Sequence, residues 1–213
     1  VIAGVKESNL TALVSNAQAE TLFNKLVNTE NTSYKSDNGS ITIISRQADS
    51  AAGVDIQGKM INHGKGDISI DNNGVNGVNI SGISYNTYND TNITNTGSKG
   101  VNIKGLVTTG NNVNIDSQSS NVTIGDNSSN NNYVTAGNDI NIDVNNGSIL
   151  NYGVEKTLLK AGGDLAMNVN NGTIGLPVQQ NGCSGSGCTG IGPKSEGSRD
   201  FTKSINANIE GTV

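Results

Sequence analysis

The stretch GVNGVNISG, residues 74–82, returns as KGVNIKG at residues 99–105. In Val-Asn-Ile, alternation of period two points Val and Ile to one side of an extended chain and Asn to the other. The spelling recurs throughout. One series reads ITI (41–43), ISI (68–70), TNI (91–93), VNI (113–115), INI (140–142) and LAM (165–167), with starts 22 to 27 residues apart. A second series reads VDI (54–56), VNI (78–80), VNI (101–103), VTI (122–124), IL (149–150) and TI (173–174), trailing the first by 9 to 13 residues in its first five members. Weaker third units keep the same period: Met60-Ile61, Ile83-Ser84-Tyr85, Leu106-Val107, Tyr133-Val134 and Leu158-Leu159.

A fixed period in the twenties, built from short strands, is the mark of a solenoid. Three strands per turn predict an all-β chain, a right-handed parallel β-helix of triangular section, with the handedness taken by analogy. Stacked turns bury Val on Val and Ile on Ile, and each strand's backbone pairs with the turns above and below. Asn at the outward position is compatible with water. Gly before the strand, and NNG at 72–74, 145–147 and 170–172, supply the left-handed backbone that corners need. Antiparallel hairpins are the competing reading, but they want two-residue turns and strands of similar length. The gaps here are longer and regular in pairs.

Composition agrees with a thin aliphatic core. Of 213 residues, 33% are hydrophobic and 3% aromatic, with no Trp, so Val, Ile and Leu must supply the burial. Asn is about one residue in six, far above ordinary usage, and signals many turns. At 15% charged residues the chain lacks the composition of a disordered tail. The net charge of −5, with no basic stripe interleaved with aromatics, argues against nucleic acid as a partner. No apolar run is long enough for a membrane helix, and VIAGVKESN is not a signal peptide. The chain opens without Met and closes on IEGTV, and reads as a piece of something longer.

The expected division is an N-terminal segment over 1–38, a β-helix of five to six rungs over 39–178, a Gly/Ser-rich loop over 179–203 and a resumed strand over 204–213. Within the first segment, Ser15 and Gln18 stand at capping-box spacing, and Leu22, Phe23, Leu26 and Val27 recur at helical intervals. They predict a short amphipathic helix over about 16–28. SINANIEG (204–211) restores the rung pattern.

Cys183 and Cys188 are the only cysteines, separated by Ser-Gly-Ser-Gly. A zinc site wants more soft ligands, and a dithiol redox motif wants Cys-x-x-Cys. In an oxidising setting the pair reads as a disulfide that orders the excursion locally. The lone His63 has no assignable nucleophile or orienting acid. Asp67, Asp71, Asp90, Asp116, Asp126, Asp139, Asp143 and Asp164 are weighed as a carboxylate array. Asp67, Asp139 and Asp164 each directly precede a first-series strand and are expected to stack in a partial column. Paired carboxylates can hydrolyse a glycoside, and several oxygens can hold calcium. The G-G-x-G-x-D repeat of calcium solenoids is absent, as are aromatic sugar platforms. Solvated acids at strand edges are the expectation. The N-x-Ser/Thr matches at Asn79, Asn92, Asn121 and Asn171 are those of a chain rich in Asn, Ser and Thr.

Units such as GDISIDNNG, GVNIKG, AGNDINIDVNNGSI and AGGDLAMNVNNGTIG resemble the shafts of bacterial filamentous haemagglutinin-type adhesins. They are most similar to the leukotoxin-family filamentous adhesins, over about residues 39–178 and the closing SINANIEG. The resemblance implies a very long secreted or surface-exposed protein, located outside the cell or on the bacterial outer surface. It implies a β-helical fibre that binds host cells or neighbouring bacteria; the segment itself is expected to be non-enzymatic. The expected function is a rigid stalk carrying a surface for host cells, a matrix protein or a glycan. A β-helical polysaccharide-processing enzyme or phage-type fibre is the alternative, and a secreted toxin a third. No catalytic, cofactor or metal residues are assigned. Binding is expected in irregular parts on the regular scaffold: around Tyr85 and Tyr88, around Asn130, Asn131 and Tyr133, and in the 179–200 excursion.

Overall fold

A computed structural model describes residues 10–14, 26–28, 33–45, 52–125, 134–151, 159–175, 189–191 and 205–211. Its strands follow one another in threes. The first are β1 (Leu10–Val14), β2 (Leu26–Asn28) and β3 (Ser33–Ser36), then β4 (Ile41–Ser45), β5 (Val54–Ile56) and β6 (Lys59–Asn62). Next come β7 (Ile68–Asn72), β8 (Val78–Ile80) and β9 (Ile83–Asn86), then β10 (Thr91–Asn95), β11 (Val101–Ile103) and β12 (Leu106–Thr109). They are followed by β13 (Val113–Ser117), β14 (Val122–Ile124) and β15 (Val134–Ala136), then β16 (Ile140–Asn145), β17 (Ile149–Asn151) and β18 (Leu159–Ala161). The last are β19 (Leu165–Gly172), β20 (Ile174–Gly175), β21 (Thr189–Ile191) and β22 (Ile205–Gly211).

Every third strand pairs in parallel with the next, which makes a β-solenoid of about five turns between β4 and β18. The first face is β1-β4-β7-β10-β13-β16-β19-β22, the second β2-β5-β8-β11-β14-β17-β20, and the third β3-β6-β9-β12-β15-β18-β21. Parallel strands need covering on the inner side, and the lumen is filled accordingly. Ile41, Ile68, Thr91, Val113, Ile140 and Leu165 stack in register on the first face. Val54, Val78, Val101, Val122 and Ile149 do so on the second, beside Ile56, Ile80, Ile103 and Ile124. All these side chains are buried.

The Gly of the opening motif is explained at the corner. Gly77 and Gly100 have φ of +72° and +73°, a conformation that costs glycine little. A Cβ on Gly77 would lie 2.1 Å from the Gly100 carbonyl oxygen directly above. Left-handed backbone and close stacking together restrict this position to glycine.

Three expectations need correction. Leu26–Asn28, the last residues of the expected helix, form β2 and pair with β5, with Leu26 opposite Val54. The apolar spacing there fits an end rung equally well, and a ladder partner decides it. The rest of that helix, 16–25, lies outside the described residues. The last unit of the second series is Ile174–Gly175, since Ile149 pairs with Ile174 rather than with Thr173. Within the expected excursion, Thr189–Ile191 is a strand, antiparallel on β18. Asparagine is also not confined to the outside: Asn62, Asn72, Asn86 and Asn95 are all buried in the lumen.

Candidate functional site

The acids expected to form a column do stack, and Asp90 and Asn112 complete it. Asp67 Oδ1 accepts from Asn89 Nδ2 at 2.6 Å and from the Asp90 backbone N–H at 3.2 Å. Asp90 Oδ1 accepts from Asn111 Nδ2 at 2.8 Å and from the Asn112 N–H at 2.9 Å. Asn112 Oδ1 accepts from Asn138 Nδ2 and the Asp139 N–H, at 2.9 and 3.0 Å. Asp139 Oδ1 accepts from the Asp164 N–H at 2.7 Å. Each residue thus caps the backbone of its equivalent one turn on. An amide serves in this chain of bonds as well as a carboxylate, so the column is a structural rail along the corner between third and first faces.

A second acid array lies on the outer side of the first face, where Asp71, Thr94, Asp116, Asp143 and Asn168 share one column. Asp116 and Asp143 are neighbours there and line a shallow groove with Gln118, Asn145, Asn168 and Asn170, with no cation in its wall. Asp143 Oδ1 accepts from Asn168 Nδ2 at 2.5 Å, and Asp116 accepts from Gln118. Among the described residues no group of three or more His, Cys, Asp or Glu is placed to hold a metal ion.

The third face differs from both others. Its inner column runs Tyr34, Met60, Ser84, Val107, Val134, Leu159. Its outward positions carry Lys35, Lys59, Ile61, Ile83, Tyr85, Leu106, Thr108, Thr135 and Lys160, with no carboxylate on any of these strands. Strand β9 is turned against its own pattern. In Ile83-Ser84-Tyr85 an alternation rule would bury the two large residues, yet Ser84 is fully buried and Tyr85 is 38% exposed. The phase is set by the neighbouring turns and by Asn86. That amide is buried and donates to the Asp90 carbonyl at 2.7 Å, and also accepts from Asn62 Nδ2. With Asn86 held inside, Ile83 and Tyr85 must face out. Ser84 Oγ is left buried without a hydrogen-bond partner.

Tyr85 and Tyr88 are the exposed large hydrophobic residues of the described chain, Tyr88 at 62%. His63, one turn away, packs edge-on against Tyr85 with ring centroids 6.2 Å apart. Its Nδ1 lies 3.0 Å from Thr87 Oγ1. His63 and Tyr85 therefore pack together on the outer side of the third face, where Ile61, Ile83 and Leu106 are also turned outward and half-buried. Tyr34 shows the contrast: it lies in the lumen, and burial raises its phenol pKa above the ordinary value. The sequence reading singled out Tyr85 and Tyr88 but missed Ile61, Ile83 and Leu106. Their signal was the paired inner positions of the flanking strands, not their own pattern. Cys183, Cys188, Asn130, Asn131 and Tyr133 lie outside the described residues, so the expected disulfide and those loops have no geometry here.

No protein-family model, curated protein or solved structure matches the chain. Among the described residues no helix is long and apolar enough to cross a membrane.

Proposed function

We propose that the chain is a non-enzymatic segment of a large secreted or surface-exposed bacterial adhesin. It acts as a rigid β-helical stalk, and its third face docks a protein of the host-cell surface or matrix. The observation that carries the reading is strand β9, which turns a half-buried Ile83 and an exposed Tyr85 outward and buries Ser84 in their place. Large apolar side chains clustered on the outside of a soluble surface cost solubility unless something covers them. Aromatic side chains are enriched at the centres of protein-docking patches. Stalk function is supported by the continuous ladders, which fix each turn to the next through backbone and side chains alike. The reading as a polysaccharide-processing enzyme would depend on Asp116 and Asp143, whose groove has no cationic neighbour. Nothing specific favours a phage-type fibre.

The test is binding of the purified, folded chain to epithelial and immune cells, beside a Tyr85→Ser/Tyr88→Ser variant. Saturable binding that the double variant loses, at an unchanged melting temperature, supports the proposal. Absence of binding to every cell type, or equal binding by the variant, overturns the third face as a docking surface.

A further inference from the structure

Asparagine stands directly before glycine at residues 38–39, 73–74, 76–77, 146–147 and 171–172 of the described chain. Such a pair is prone to lose its side-chain amide, because glycine offers no side chain to hinder attack by its own backbone nitrogen on the asparagine Cγ. Folding guards that nitrogen wherever it holds the N–H in a hydrogen bond that must open first. The Gly39 N–H donates to Ser36 Oγ at 3.1 Å, and the Gly74 N–H to Asn72 Oδ1 at 3.0 Å. The Gly77 N–H donates to the Gly74 carbonyl, also at 3.0 Å. The Gly147 N–H, by contrast, has no acceptor among the described residues. Asn146 is exposed, and its Oδ1 accepts from Asn171 Nδ2 at 3.0 Å. That bond polarises the carbonyl that the glycine nitrogen would attack.

We propose that Asn146–Gly147 is a self-modification site, at which the folded chain converts its own asparagine into isoaspartate and aspartate. The Gly147 amide gives its proton to hydroxide, and its nitrogen bonds to Asn146 Cγ. The Cγ–Nδ2 bond then breaks, and the amide nitrogen leaves as ammonia with a proton from water. Water opens the cyclic imide that remains, at either of its carbonyls. Asn171 Nδ2 stabilises the oxyanion formed on the way. The short corner itself imposes the vulnerable spelling. Asn146 stands at φ 55°, which asparagine tolerates better than most residues. A Cβ on Gly147 would lie 2.5 Å from the Ser120 carbonyl carbon, so a residue with a side chain does not fit there. Isoaspartate adds a carbon to the backbone of corner 146–148, next to Ile149, which is fully buried between Val122 and Ile174. Modification therefore loosens the turn of β17 first and leaves the turns of β7 and β10 intact. The inference stands without the docking patch.

The test ages the folded 213-residue chain in neutral buffer and follows each Asn-Gly pair by peptide mass spectrometry, with fragmentation that separates isoaspartate from aspartate. The same chain unfolded in guanidinium supplies the unguarded rate of each pair. Unfolded, the pairs react at similar rates. Folded, Asn146 reacts at least about tenfold faster than Asn38, Asn73 and Asn76, roughly the rate equivalent of one hydrogen bond that must open first. Asn171→Asp keeps a side chain suited to positive φ but removes the donor, and it slows Asn146 severalfold at an unchanged melting temperature. The proposal is overturned if folding suppresses Asn146 as strongly as it suppresses the other three. A wild-type rate at Asn146 in the Asn171→Asp chain overturns the assisting role of Asn171.

Discussion

The last inward position of the first-face strands is filled differently at the two ends of the solenoid. It runs Ser45, Asn72, Asn95, Ser117, Val144 and Val169 in register. In the turns of β7 and β10 the residue is an amide. Asn72 Nδ2 donates to the Gly74 carbonyl and to Asn95 Oδ1, each at 2.8 Å, and Asn72 Oδ1 accepts the Gly74 N–H at 3.0 Å. Asn95 repeats the pair with Gly97, at 2.8 and 3.1 Å. In the late turns the position is Val, and the corner instead turns on a left-handed asparagine, Asn146 with φ 55° and Asn171 with φ 57°. Corner length separates the two cases. Between β7 and β8 and between β10 and β11 the corner is residues 73–77 and 96–100. Between β16 and β17 it is only 146–148. A longer corner folds backbone groups over the end of the lumen, where they must find a partner. Both kinds of corner take φ positive, on Gly77 and Gly100 in the long ones and on Asn146 in the short one, but the three-residue corner leaves the lumen position to an aliphatic side chain.

A lumen amide is thus stable only where a corner meets it, and substitutions can break that rule. The largest effect is expected at Ile103, fully buried on the second face between the aliphatic side chains Ile80 and Ile124. Ile103→Asn is expected to cost about 3–5 kcal/mol, from lost burial plus an unpaired amide. The neighbouring outward change Asn102→Ser should cost only a few tenths of a kcal/mol, about the value for an exposed surface change. Urea denaturation of both measures it, and equal effects would overturn the register. Next is Asn95→Val, which deprives Gly97 of both partners and Asn72 of one, at about 2–3 kcal/mol. The reciprocal Val144→Asn should also destabilise, because the short corner offers it nothing. A neutral result for either, read from the melting temperature, would mean that corner length does not decide the residue.

The second-face register was legible because its strands are short, with one polar residue between two aliphatic ones, and no other phase buries both. The first-face amides were not. Asn72 and Asn95 have the same spelling as outward asparagines such as Asn79 and Asn102, and only the position of the corner backbone distinguishes them. The docking patch was half legible. Tyr85 and Tyr88 stood out in an aromatic-poor chain, but the aliphatic neighbours that make a surface of them did not. The exposure of Tyr85 follows from Asn86, whose bond from Asn62 one turn back is a tertiary fact. The acid column was legible as a column, from acids placed directly before strands. Its use as a backbone cap was hidden, because Asn112 breaks the run of acids.

That column gives the third effect. Asp90→Ala removes acceptors for the Asn112 N–H and Asn111 Nδ2 and is expected to cost about 1–2 kcal/mol. Asp90→Asn should cost under about 0.5 kcal/mol, since Asn112 does the same work one turn on. Chemical denaturation compares the two; an asparagine variant as unstable as the alanine one would show that charge, rather than the cap, holds this corner.

The smallest effect bears most directly on the docking patch. Ser84 lies between Met60 and Val107 in the third-face lumen, with its hydroxyl unpartnered. An orphan hydroxyl in an apolar surrounding is a standing cost, so removing it is favourable even though a little packing is lost. Ser84→Ala should therefore stabilise the chain by about 0.5–1 kcal/mol, seen as a rise in melting temperature, while cell binding stays at the wild-type level. The opposite phase of β9 makes the opposite prediction. With Ser84 in solvent and Ile83 and Tyr85 inside, alanine at 84 would be neutral, and Tyr85→Ser would carry a core-sized penalty. Measured together, the two substitutions decide whether Ile83 and Tyr85 form a surface or a core, and with that whether the third face is available to a partner at all.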